Sequence, residues 1–244
     1  MIQFIPNVPS TNKLLLEMAD RAPVTGKPVP PFFTLHTDFQ SDGRGMGANR
    51  WFSDPGQNIL VSFYFEPNIP ANRQFLFNQY FALATLDFIR KYIPEVQVKW
   101  PNDIYVYGKK MAGILIEHVL QGERLHHTVA GIGLNVNQDH FPDGIPHPTS
   151  LFLETGQLHD PDILLNEYWQ ILRDNYAQLS LDNAERLHQR YLDNMYQYGE
   201  IHEYLILGER KEAKITGLDE YGRLELIDKD GQRHTCGFKE IVFL

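Results

Sequence analysis

The sequence predicts an α+β protein in two parts, a larger one over residues 1–197 and a small all-β module over residues 198–244. Three observations predict this. Apolar runs of helical period alternate with runs of strand period through the first part. Its middle holds a series of strands separated only by short turns. From about Gly199 the character changes to short strands broken by Leu-Gly-Glu-Arg, Asp-Glu-Tyr-Gly and Asp-Lys-Asp-Gly, which predicts a barrel of about five strands.

The elements follow in order. Ser10 and Thr11 precede "KLLLEMADRA", where Leu14, Leu15, Met18 and Ala19 fall at helical spacing, so either is a plausible N-cap. "FFTLHTDF" is a strand leading into a glycine-rich loop, and "NILVSFYFEP" is a strand leaving it. "RQFLFNQYFALATLDFIRKYI" is apolar through several turns and predicts a largely buried helix. "VQVKW", "IYVY", "KMAGILIEHVL" and "RLHHTVAGIGLNVN" form an antiparallel meander joined by Pro-Asn-Asp, Gly-Lys and Gln-Gly-Glu-Arg turns. "PDILLNEYWQILRDNYAQL" and "AERLHQRYLDNM" are amphipathic helices.

Composition limits the partners. The 244 residues are 43% hydrophobic and 22% charged, as in an ordinary soluble protein. A formal charge of −9 argues against a nucleic-acid partner, so any anionic ligand must meet a local basic patch. The single cysteine, Cys236, forms no intrachain disulfide and fits a reducing compartment. The first residues lack a basic segment leading into an apolar core, and no apolar run approaches the ~20 residues of a membrane span. A cytoplasmic protein with no membrane partner is expected. The ten histidines match no zinc-site spacing, and His126 and His127 on one strand point to opposite faces.

The meander carries a geometric expectation. With residues 121–124 as a turn, facing positions sum to about 245, which sets Lys110 opposite Asn135. In the preceding hairpin Asp103 pairs near Ile114, roughly 13 Å along the strand from Lys110 at ~3.3 Å per residue. A one-residue slip reverses which face each residue points to.

"QSDGRGMGANRWFS" (residues 40–53) formally contains the dinucleotide fingerprint as Gly43-x-Gly45-x-x-Ala48. That fingerprint opens a helix, whereas Pro55 and Gly56 follow here and then a strand. A featureless surface loop accounts poorly for Arg44, Arg50 and Trp51. With three glycines so close, residues 41–50 are expected to order around an anionic, flat ligand. Arg44 supplies a planar donor fork and Trp51 an apolar lid.

"GRGMGANRW", "KWPNDIYV", "KKMAGILIE" and "GIGLNVN" stand in that order, after "STN" and before "TSL" and "GLDEYGRLELI". Together they resemble the biotin protein ligases, from about residue 4 to the C-terminus. The resemblance implies a mixed sheet with flanking helices, related to class II aminoacyl-tRNA synthetases, and an SH3-like C-terminal barrel. It implies that biotin and ATP·Mg²⁺ give biotinoyl-5′-AMP and pyrophosphate. The biotinyl group then passes to a lysine of a biotin carboxyl carrier domain such as that of acetyl-CoA carboxylase. Lipoate or octanoate attachment, on a related fold, is the alternative.

The resemblance also implies site residues. Ser10, Thr11 and Gln40 match positions that hydrogen-bond the ureido ring, and Gly43 and Arg44 match those closing over ring and tail. Gly113 allows close approach of the ring, and Trp51 matches the lid. Lys110 matches the lysine between biotin carboxylate and α-phosphate, and with Arg44 is the expected catalytic pair. Asn102, Asp103 and Asn135, with Arg50 and Trp51, match the ATP-binding set, Asp103 being the candidate Mg²⁺ ligand. Plainer readings stand beside these: a helix cap for Ser10, core packing for Trp51, an exposed turn for Lys110, turn chemistry for Pro101-Asn102-Asp103. Met46 stands where many of these ligases carry a second arginine. No helix-turn-helix segment precedes Ser10, so a monofunctional enzyme rather than a repressor is expected. Ligases of this kind include monomers and homodimers joined through a sheet edge.

Overall fold

The computed structural model describes residues 1–244. The strands of the first part are β1 (Ile2–Phe4), β2 (Asn7–Val8), β3 (Thr34–Thr37), β4 (Phe39–Gln40), β5 (Ile59–Phe65), β6 (Val96–Lys99), β7 (Asp103–Val106), β8 (Lys109–Gln121) and β9 (Arg124–Leu134). The helices are α1 (Thr11–Thr25), α2 (Phe75–Ile89), α3 (Leu151–Thr155), α4 (Pro161–Asn175) and α5 (Ala184–Asp193). Seven strands form a mixed sheet in the order β1-β3-β5-β9-β8-β7-β6, in which only the β1–β3 pair is parallel. The short strands β2 and β4 pair separately, in parallel.

One face of the sheet is covered along its length and the other only in part, and alternation along the strands decides what each face holds. Ile59, Val61, Phe63 and Phe65 of β5, with Ala130, Ile132 and Leu134 of β9, join the large core beneath α2, α4 and α5. Every residue of α2 except Phe75, Asn78 and Asp87 is buried, which fits its largely apolar sequence. The other face of β5 and β9 offers Tyr64 and Val129 to Leu15 and Ala19 of α1. Helix α1 begins where Ser10, in extended conformation, caps the Lys13 amide, and ends at left-handed Gly26. Beyond the N-terminal end of α1, at Ser10 to Asn12, this same face is open.

The second part has strands β10 (Ile201–Ile206), β11 (Glu209–Leu218), β12 (Leu224–Asp228), β13 (Arg233–Cys236) and β14 (Ile241–Phe243). They make an antiparallel sheet in the order β13-β12-β11-β10-β14, the expected five-stranded all-β module, with β13 and β14 as its edges. Its Tyr204, Ile215 and Leu226 belong to the same core as α2 and α5. Trp100 ties the two parts together: its Nε1 donates to the Gly222 carbonyl at 2.8 Å, and Gly222 lies against the Phe75 ring. No helix is long and apolar enough to cross a membrane.

Two register details depart from expectation. Past a bulge at Val119/Leu120, the β8–β9 hairpin pairs Gly113 with Gly133 and Ala112 with Leu134, a sum of 246 rather than 245. Lys110 therefore does not face Asn135; it bridges to Pro148, while the Asn135 amide donates to the Met111 carbonyl. Asp103 pairs with Gly113 rather than Ile114, because the turn is centred on Tyr107-Gly108, with Val106 opposite Lys109. A second bulge between Ile104 and Tyr105 recovers one position of that shift.

Candidate active site

The open face of the sheet carries a cavity of about 490 Å³, adjoined by a second of about 360 Å³. The sheet register builds the floor. One row of paired residues crosses five strands, from Leu60 through Gly133, Gly113 and Asp103 to Lys99. A neighbouring row sets Ser62 beside Gly131 and Leu115. The glycines have a physical reason. A Cβ on Gly113 would come within 2.9 Å of the Trp51 ring, one on Gly133 would enter that ring, and one on Gly131 would enter Asn12.

At the α1 end the floor is polar. Gln40 Oε1 accepts from the Thr11 amide at 2.8 Å and from Thr11 Oγ1 at 3.1 Å. Ser62 Oγ reaches Thr11 Oγ1 at 2.7 Å and Asn12 Oδ1 at 2.5 Å. Asn12 Nδ2 donates to the Leu115 carbonyl at 3.0 Å and to Glu117 at 2.9 Å. Ser10, Thr11, Asn12 and Ser62 are all buried. Buried polar groups in such number persist only as a satisfied network, and this one faces the cavity.

The middle is cationic. Lys110 Nζ meets Asp103 Oδ1 at 2.8 Å. The distance expected along the strand is thus bridged, and the bulge is the reason. In strict alternation Lys110 and Gly113 would face opposite sides. Met111 is the extra residue of the bulge, so Met111 and Ala112 both enter the core while Lys110 and Gly113 both line the cavity. Arg44, Arg50 and Lys99 line it as well, and Asp103 is the only acidic residue that does. A chain of charge −9 thus presents a local basic patch.

The glycine loop is a small hairpin: Arg44 bridges to Arg50, Gly45 N donates to Asn49 O at 2.8 Å, and Trp51 N to Gly43 O at 3.0 Å. Gly47, at φ +68°, makes the turn. Arg44 faces Glu117 at 3.8 Å, and Arg50 holds Asp42 at 2.8 Å. Gly43 lies under the Trp51 backbone and does not line the cavity. Trp51, expected as a lid, rests its ring on the glycine floor with Nε1 buried and unpartnered. Asn102 and Ile114 exchange hydrogen bonds, which anchors the Pro-Asn-Asp turn at the cavity wall. Asn135 lines the second cavity; its Nδ2 donates to the Thr149 carbonyl, and its buried Oδ1 has no partner.

Ser10, Thr11, Gln40, Arg44, Arg50, Trp51, Asn102, Asp103, Lys110 and Gly113 are therefore brought to one cavity, and Asn135 to its neighbour. Sequence reasoning passed over Asn12, Ser62, Lys99, Gly131 and Gly133. Asn12, Lys99 and the two glycines lie inside the quoted motifs, whereas nothing marked Ser62. It also missed Phe238, Ile241, Val242 and Phe243 of the second part, which form one wall.

Residues 30–135 match the Biotin/lipoate A/B protein ligase family. The Bifunctional ligase/repressor BirA of Bacillus spizizenii is 34% identical over 157 residues, 63% of this chain and 46% of that protein. The Biotin–[acetyl-CoA-carboxylase] ligase of Paracoccus denitrificans is 28% identical over 158 residues, 59% of this chain and 65% of that one. The chain thus spans about half the length of the first of these relatives. The solved biotin protein ligase from Aquifex aeolicus in complex with biotin and ATP superposes with a TM-score of 0.77 at 24% identity, covering 100% of this chain and 98% of that one. That likeness establishes the fold, a mixed sheet with flanking helices and a C-terminal antiparallel sheet. The chain is thus similar to the Biotin/lipoate A/B protein ligase family over residues 30–135, and to these relatives over a longer stretch.

Proposed function

We propose that this chain activates biotin with ATP to biotinoyl-5′-AMP and transfers the biotinyl group to a lysine of a biotin carboxyl carrier domain. The observation that carries the reading is the order of chemistry across the sheet. A hydrogen-bonding pocket (Thr11, Asn12, Gln40, Ser62) opens onto a glycine floor, which ends at Lys110 and Asp103. A ligand with a polar ring, an apolar tail and a terminal carboxylate fits that sequence of surfaces. A plain acyl chain, as in octanoate attachment, offers the polar pocket no complement.

The chemistry then falls to the cations. A carboxylate and an α-phosphate repel each other, and an ammonium between them offsets that repulsion and stabilises the charge of the five-coordinate phosphorus. Lys110 has the reach, and Asp103 holds its ammonium over the floor. Arg44 and Arg50 stand on the hairpin above, where closure shields a hydrolysable anhydride. The unpartnered Trp51 Nε1 and Asn135 Oδ1, both along the second cavity, are the donor and acceptor left for a nucleotide.

Magnesium suits the donor set in one way only. No three acidic, histidine or cysteine side chains gather anywhere, so an ion would rest on Asp103 and on the phosphates that bring it. There it would neutralise phosphate charge.

The reading is tested by mass spectrometry of a biotin carboxyl carrier domain incubated with the protein, biotin, ATP and Mg²⁺. The carrier should gain one biotinyl group, and Lys110→Met should slow this by about 10²-fold or more, as for loss of one charge-stabilising group. An unmodified carrier with the wild-type protein, or a Lys110→Met rate equal to wild type, would contradict it.

A further inference from the structure

Three of the four cations lining the cavity face carboxylates: Arg50 with Asp42, Lys110 with Asp103, and Arg44 with Glu117. Lys99 does not. Its Nζ donates to the Tyr105 hydroxyl at 2.9 Å and lies 4.7 Å and 5.0 Å from the ring centroids of Tyr105 and Phe243. Burial lowers the Lys99 pKa, the nearby Asp103 carboxylate raises it, and Lys110 lowers it further. An ammonium partly withdrawn from water against aromatic faces, with no carboxylate of its own, is a receptor for an anion that comes and goes.

Its place in the sheet says which anion. Lys99 is on β6, at the sheet edge, and pairs with Asp103, which pairs with Gly113. With strands ~4.8 Å apart, Lys99 is about 10 Å beyond the glycine floor, on the side opposite the Thr11–Ser62 pocket. The adenylation step requires in-line displacement. A carboxylate oxygen bonds to the α-phosphorus, the bond from that phosphorus to the α,β-bridging oxygen breaks, and pyrophosphate departs with the electron pair. No proton need move. A nucleophile arriving from the Thr11–Ser62 side sends its leaving group toward β6.

We propose that Lys99 binds the departing pyrophosphate, with Phe243 of the C-terminal sheet as the positioning residue that holds its ammonium. This rests on the biotin-activating function proposed above. It gives the second part of the chain a role in the site: β14 supplies Phe243, whose ring also stacks on Tyr196, itself against Tyr105.

The experiment compares full-length wild type, Lys99→Met, Lys99→Arg and Phe243→Ala in biotin-dependent adenylation. It reads the KM for ATP, inhibition by inorganic pyrophosphate, and biotin affinity. Lys99→Met should raise both the KM for ATP and the pyrophosphate inhibition constant about tenfold or more, as expected for a lost charged hydrogen bond, with biotin affinity within about twofold. Lys99→Arg should recover most of the loss, and Phe243→Ala should move the same two constants in the same direction. A merely structural role would weaken biotin and ATP alike, and that pattern overturns the proposal, as does unchanged pyrophosphate inhibition.

A measurement on the wild type stands independently of whether the variants fold. Inorganic pyrophosphate with Mg²⁺ should protect Lys99 from acylation by an amine-reactive reagent, read by peptide mass spectrometry. Lack of protection overturns the assignment. A wild-type protein that protects Lys99 but never activates biotin refutes the proposed function and leaves the anion site standing.

Discussion

Gly133 decides more of this site than its size suggests. Together with Gly113 it lets the Trp51 ring lie directly on the backbone of β8 and β9. Gly133→Ala should destabilise the fold by about 1–3 kcal/mol through overpacking. In a Trp51→Ala background that cost should vanish, because the ring it collides with is gone. Denaturant midpoints of the four proteins check this; an undiminished cost in the double variant would falsify the contact. His118 gives a second prediction at this scale. Its Nδ1 lies 2.8 Å from Thr128 Oγ1 and its Nε2 3.3 Å from Asn78 Oδ1, and burial lowers its pKa from 6.5 to about 4. The native state keeps the ring neutral where the unfolded chain takes up a proton. The stability this group contributes is therefore full above pH 6.5 and is lost as pH falls toward about 4, by about 3 kcal/mol in all. His118→Gln should flatten the pH dependence of the denaturation midpoint in that window, and an unchanged slope would count against it.

Elements differ in how far the sequence reveals them. Helix α2 was legible because a stretch apolar through several turns is best buried as a helix, and α1 because Ser10 stands before a periodic stretch. The meander was legible from its turns, but its register was not. Two bulges shift the pairing, and a bulge is decided by what the strand must pack against. Met111 enters the core and carries Lys110 around to the open face. Asn12 and Ser62 escaped for a related reason: their meaning lies in a contact between residues 50 positions apart. The hairpin of residues 43–51 carries the prediction at this scale. It has few backbone hydrogen bonds and three glycines, which places it at the low-stability end of the molecule. The Gly45 and Trp51 amides should exchange rapidly in the ligand-free protein and at least about tenfold more slowly with biotin and a non-hydrolysable ATP analogue. Equal exchange in the two states would mean the hairpin is not a closing element.

For the whole molecule, the two parts are halves of one site. The composition change near Gly199 marked the second part as separate, yet Trp100 binds Gly222, and Phe238, Ile241, Val242 and Phe243 wall the cavity. Sequence periodicity finds modules and is blind to which loop of one rests on the other. Charge was legible in part: a chain at −9 gathers Arg44, Arg50 and Lys110, all expected from the sequence, around the single acidic Asp103, and the fold adds Lys99 to them. That gathering of cations at the end of a polar, glycine-floored channel is the basis for expecting a carboxylate to be joined to a nucleotide here. The most direct measurement is exchange of labelled pyrophosphate into ATP by the wild-type protein with Mg²⁺. Exchange should require biotin, and lipoate or octanoate should not replace it; exchange with lipoate alone, or none with biotin, would contradict the account.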